Sequence, residues 1–263
     1  MSLLDELKQQ ADSLRQKQQV SQAELNHNLL LAHSKLKDAL RDWVELFNSL
    51  NIIKPVVPRY YYLDGDTRLD NLLQCDYNVN GRRLTVEHKD YIEAIVLRFR
   101  CAGEGTVTIE KQSEPMVQRL RGHLWQNNLK FDVKEVRTDR GYVERGIFTI
   151  KSEVPVTVTM VCDLENAHIN VMTKNLEKLG EYVYIYDFDE FGKEILEELG
   201  KVIIAKPNGF RSIGKRQQSI LTTTTRAPKP ANAQPKQTVD AAAAAGGDPT
   251  SKLIGNIRSL LKL

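Results

Sequence analysis

A chain of 263 residues is long enough for one substantial core or two modest ones, and a 41% hydrophobic content excludes a wholly disordered polymer. The net charge of +3 conceals a segregation: residues 1 to 205 carry 27 Lys and Arg against 32 Asp and Glu, a net of −5, whereas residues 206 to 263 carry 10 against 2, a net of +8. A mildly acidic body lacks the positive field that steers domains to nucleic acid, so binding of nucleic acid or a membrane surface is expected to be weak and confined to the tail.

Three widely spaced cysteines, Cys75, Cys101 and Cys162, argue against a disulfide framework and suit core packing in a reducing compartment. The chain opens on charged and glutamine-rich sequence, which predicts no signal peptide. No segment approaches the roughly 18 to 20 continuous apolar residues of a membrane span. A cytoplasmic location is therefore expected.

From Ser2 to about Ser49 there is neither Pro nor Gly, and good helix formers dominate. Leu4, Leu7, Ala11, Leu14, Gln18, Ser21, Leu25, Leu29, Leu36, Leu40, Trp43, Phe47 and Leu50 recur at spacings of mostly three and four, close to a heptad seam. Polar Gln18 and Ser21 weaken its middle, so the pattern admits one long helix or a helical hairpin broken there. Two uses are open to the seam: its second half packs on the following domain, or Leu25, Leu29, Leu36, Leu40, Trp43 and Phe47 pair with a second copy in a coiled coil. Pro55 and Pro58 end the helical regime, giving a helical segment over residues 1 to 54.

Residues 55 to 210 read as an α+β domain. RYYYL favours a strand, and Asn80-Gly81 between Val79 and Leu84 predicts a hairpin turn. A second turn is expected at Ala102 to Gly105, a helix from Ser113 to Asn127, and further strands at KFDVKEVR, from Gly146 to Lys174 and at EYVYIYDF. Pro155 predicts an edge position or a bulge. DEFGKEILEELG reads as a short helix and KVIIAK as a final strand. Hairpin pairings outnumber crossovers, so the expected architecture is a mainly antiparallel sheet with two short helices on one face.

Residues 211 to 249 are poor in large apolar groups and rich in Thr, Pro, Ala and Gln, and are expected to form a flexible basic linker. The chain ends in an amphipathic segment over residues 250 to 263, in which Leu253, Ile254, Ile257, Leu260 and Leu261 share a helical face and form the expected partner-binding stripe.

Three patterns invite a chemical reading. KPNGFRSIGKRQQS places Gly209, Gly214 and Lys215 at phosphate-loop spacing, with Arg211, Lys215 and Arg216 as phosphate candidates. Arg216 stands where such a loop needs Ser or Thr for magnesium, and no long helix pattern follows, so an accidental spacing is expected. Asp187 and Asp189 fall on one side of a strand with Glu190 next, a carboxylate set for a metal ion or a capped helix start. Tyr60 to Tyr62 and Tyr182, Tyr184 and Tyr186 could stack bases, but acidic neighbours favour half-buried strands. The histidines lack ligand spacing, and no cofactor is implied.

The sequence therefore predicts a noncatalytic adaptor or assembly protein that contacts other proteins through its N-terminal helix, a homo-oligomer being one such use, and through its tethered C-terminal segment. A small-ligand or metal-dependent enzyme domain using the central sheet, and a basic tail that binds nucleic acid, are the alternatives.

Overall fold

A computed structural model describes residues 3 to 65, 67 to 213 and 216 to 219. The seam's helix formers run unbroken into one helix, α1 (Leu3–Ile53), so the hairpin alternative falls away. Gln18 and Ser21 interrupt an apolar stripe but carry no backbone-breaking chemistry, and the helix passes through them.

The remainder is broadly α+β and dominated by its sheet. The strands are β1 (Pro58–Asp64), β2 (Thr67–Val86), β3 (Lys89–Gln112), β4 (Phe131–Arg137), β5 (Val143–Asp163), β6 (His168–Lys174), β7 (Glu181–Asp187) and β8 (Arg216–Ser219). All neighbours are antiparallel in the order β1-β2-β3-β5-β6-β7-β8, and β4 pairs the first part of β5. The helices α2 (Glu114–Gln126), α3 (Lys193–Ile203) and α4 (Phe210–Ile213) complete the described chain. The expected helix at Ser113 to Asn127 and the strands at RYYYL, KFDVKEVR and EYVYIYDF stand where the patterning put them.

Both predicted turns are instead continuous strand. Asn80 and Gly81 lie inside β2, and the chain reverses at Glu87 and His88, whose φ values of 47° and 64° occupy the left-handed region. Gly81 serves a different purpose, since a Cβ there would sit 2.9 Å from Leu40 Cδ2 and the missing side chain admits α1 onto the sheet. Ala102 to Gly105 likewise forms an irregularity within β3, where the pairing with β5 slips between Ala102 and Thr106.

Much of the core lies on one face of the sheet. Ile95, Leu97, Phe99 and Cys101 of β3 stand opposite Met160, Val158, Val156 and Val154 of β5, and all eight are buried. α1 lies on this face, with Phe47 packed edge-on to Tyr77 and Phe99 at centroid distances of 5.2 and 6.4 Å. The Cβ-less Gly146 accommodates Val117 of α2, and Phe210 of α4 meets Tyr184 and Tyr186.

KVIIAK is not a strand. Ile195, Leu199, Val202 and Ile203 form one buried stripe of helical period, so KVI completes α3. Its last carbonyls are held from the sheet: Arg59 Nη2 donates to Val202 and Ile203 at 2.5 and 2.9 Å, and Gln74 Nε2 donates to Ile203 at 2.7 Å. Residues assigned to the linker from 211 onward also enter the fold, since α4 and β8 lie there and β8 pairs with β7.

Pro155 sits where β5 has β3 on one side and has run past the end of β6 on the other. Its carbonyl receives a 3.0 Å hydrogen bond from Asn175 Nδ2, which also donates to the Asn127 carbonyl at 2.9 Å. Asn175 is fully buried with φ of 57°, and its Oδ1 accepts the Gly180 N–H. One side chain therefore ties the end of α2, the edge of β5 and the turn after β6.

Candidate interaction surface

The long helix divides where it meets the sheet. Asn28 Nδ2 donates to the Leu164 carbonyl at 2.9 Å, and Ile92 N–H donates to His33 Nδ1 at 2.9 Å. Asn51 then exchanges two bonds with the Tyr77 backbone near the other end. Between these ties Leu29, Ala32, Leu36, Ala39, Trp43, Phe47 and Leu50 are all buried.

The residues expected to offer an oligomerisation seam are instead largely covered. Leu29, Leu36, Trp43 and Phe47 are covered by their own chain, and Leu25 and Leu40 are half-buried. A wide sheet face of matching hydrophobicity satisfies the stripe before any second helix is needed.

N-terminal to Asn28 the situation differs. No described side chain before Leu29 is buried, and Asp12, Gln16, Val20, Ser21, Ala23, Glu24, Asn26 and His27 are exposed. At about 1.5 Å per residue this arm of α1 extends for roughly 37 Å. A second exposed apolar group lies past the helix's other tie, where Ile52, Ile53 and Val56 are 82%, 69% and 79% accessible. The heptad seam gives no hint of this group. Its signal in the sequence is the run of apolar residues around Lys54 and Pro55 that continues off the seam.

The chemical candidates do not assemble. Asp187 ends β7, where its Oδ1 lies 2.9 Å from His168 Nε2 across the strand pair. Its carbonyl accepts the N–H groups of Glu190 and Phe191, so Asp189 and Glu190 lie in an exposed turn instead of continuing the strand face. Helix capping is not their role either, because α3 begins after Gly192. Among the described residues no group of three or more His, Cys, Asp or Glu is placed to hold a metal ion.

The phosphate-loop reading loses its geometry. A helix, α3, precedes the segment where a strand is required, and the strand β8 follows where a helix is required. Arg211 is engaged by Glu177 at 2.5 Å, which raises its pKa. Lys215 lies outside the described residues, and Arg216 enters β8 as backbone.

Other titratable groups serve the packing. Burial pushes the Cys101 thiol up to about 11 and Cys162 to about 12, which leaves both un-ionised near neutrality. Burial pulls the Glu153 carboxyl up, but hydrogen bonds from Arg100 and Lys130 outweigh it and hold the group below the usual carboxylate range. Tyr61 is buried while Tyr60 and Tyr62 are exposed, which is the alternation of a half-buried strand.

The C-terminal stripe Leu253, Ile254, Ile257, Leu260 and Leu261 lies outside the described residues. No described helix is long and apolar enough to cross a membrane. No family model, curated protein or solved structure matches this chain.

Proposed function

We propose that the protein is a noncatalytic adaptor or assembly protein. The sheet domain serves as a rigid base, and protein contacts are made by the N-terminal arm of α1 and by the amphipathic segment at residues 250 to 263. The observation that carries this reading is the division of α1: one helix of 51 residues has its buried positions, among the described side chains, only from Leu29 onward. A helical arm with apolar heptad positions and no buried side chain among those described before Leu29 is stabilised most by another helix.

The C-terminal segment complements the arm. Its sequence, an apolar stripe of Leu253, Ile254, Ile257, Leu260 and Leu261, is of the kind that fits a partner's hydrophobic groove. The cytoplasm is the compartment this reading implies. Crosslinking capture from a cell extract tests it, comparing the full chain with versions lacking residues 2 to 24 or 250 to 263. Each truncation is expected to remove a distinct set of partners while leaving thermal unfolding of the sheet domain unchanged. Identical capture by all three proteins would overturn the reading.

A further inference from the structure

The arm's heptad register carries a charge pattern that its sheet-bound half does not need. Taking Leu4 as position a, the seam runs Leu4, Leu7, Ala11, Leu14, Gln18, Ser21 and Leu25 through alternating a and d positions without a slip. Ser21, at d, is exposed and Leu25, at a, is half-buried, while the side chains of Leu4, Leu7, Ala11, Leu14 and Gln18 lie outside the described ones. The e and g positions beside it are Lys8, Gln10, Arg15, Lys17 and Gln22, with the first acid, Glu24, only at the junction with the body. Asp5, Glu6 and Asp12 fall at b and c, away from the seam.

From this pattern we infer that the arm pairs with a partner helix whose apolar a and d stripe is flanked by Glu or Asp. The inference rests on the adaptor reading and names the partner's chemistry. Charges at e and g select coiled-coil partners because they face the partner's own flanks. A second copy of this chain is a poor match: a parallel pairing sets Gln10 against Arg15 and Lys17 against Gln22, and gains no ion pair. An antiparallel pairing that opposes Ala11 with Leu14 sets Lys8 against Arg15; a register two heptads away gains Lys17 with Glu24, but it centres on Gln18 opposite Ser21 and opposes Ala11 with Asn28, which is tied to the Leu164 carbonyl. The chain's own C-terminal segment is no better, because Lys252, Arg258 and Lys262 accompany its apolar stripe within a tail of net +8.

An anionic membrane is also disfavoured. Residues 3 to 27 hold three Lys and Arg against four Asp and Glu, so the arm as a whole is not cationic. Its positive charge is concentrated only beside the seam, which is where a helix and not a lipid surface reads it.

The test uses the full-length protein and a labelled designed peptide of four heptads with Leu or Ile at a and d and Glu at e and g, alongside an otherwise identical peptide with Lys at e and g. Fluorescence anisotropy at low salt is expected to show binding of the Glu-flanked peptide at least about tenfold tighter than the Lys-flanked one, with the preference shrinking in high salt. The triple variant K8E, R15E, K17E is expected to reverse the preference, and L7D with L14D to abolish binding of both.

Equal binding of the two peptides, or binding of neither, would overturn the inference. So would dimerisation of the full chain abolished by L7D with L14D, or attachment to phosphatidylserine vesicles in place of peptide binding. Dimerisation would leave the adaptor reading standing with a different occupant of the arm, whereas the capture experiment with truncated chains tests that reading by itself.

Discussion

The two halves of α1 are built from the same seam yet have opposite fates. From Leu29 to Leu50 the stripe is buried and tied to the sheet at His33 and Asn51, while before Asn28 the helix continues with no described side chain buried. Periodicity alone therefore marks a face as one that needs covering. What covers it depends on whether the rest of the fold reaches that far. Among the described side chains the buried run begins at Leu29, and the proposed function is placed before it.

The contrast breaks most sharply at the aromatic anchors. Trp43→Ala or Phe47→Ala is expected to cost about 3–5 kcal/mol, read as a fall in the urea midpoint, because each opens a cavity between helix and sheet. Leu7→Ala and Leu14→Ala in the arm should stay within about 0.5 kcal/mol in the same measurement. A large loss from the arm variants would mean that both halves of the seam belong to the core.

Asn175→Ala probes the sheet side of the comparison. It strips hydrogen bonds from the buried Asn127 carbonyl, the half-buried Pro155 carbonyl and the Gly180 N–H, so a loss of roughly 2–4 kcal/mol is expected in equilibrium unfolding. Gly81→Ala tests the helix's approach more gently. The new methyl would press on the far end of Leu40, a side chain able to swing, and about 1 kcal/mol of destabilisation should appear in thermal melts.

The smallest effect is the pH dependence of the anchored half. Burial lowers the His33 pKa, with Lys37 adding to the shift, and burial lowers that of His123. Both folded values lie below the unfolded one, so the unfolded chain binds more protons as pH falls below about 6.5. The stability these neutral rings contribute is complete above that pH and is lost as pH falls through the folded values. Protonated His33 Nδ1 also ceases to accept the Ile92 N–H. His33→Gln, which keeps an acceptor but does not titrate, should flatten the slope of unfolding free energy between about pH 6.5 and 5; an unchanged slope would remove His33 from the account.

Much of the element order was legible because strand alternation and helical period are local properties. RYYYL, KFDVKEVR and EYVYIYDF needed no tertiary context, nor did the helix after Ser113. The misreadings arose where one residue type serves two purposes. Gly81 reads as half of a turn signal, but only the position of Leu40 shows that its missing side chain admits a helix. The β-branched run after Gly200 reads as strand until Ile195 and Leu199 extend a stripe through it. Asp187, Asp189 and Glu190 read as a set until the turn after β7 separates them. Asn175 carried no signal at all, since its partners lie in elements far away in the chain.

The sequence by itself determined that α1 is helical, that one side of it is apolar and that the arm's flanks are basic, because backbone propensity and heptad position depend only on neighbours three and four residues away. Only the tertiary structure decided which part of that apolar side is already satisfied. Burial is a property of distant surfaces brought together, and the sheet buries the helix's apolar stripe from Leu29 onward while no described side chain of the earlier turns is buried.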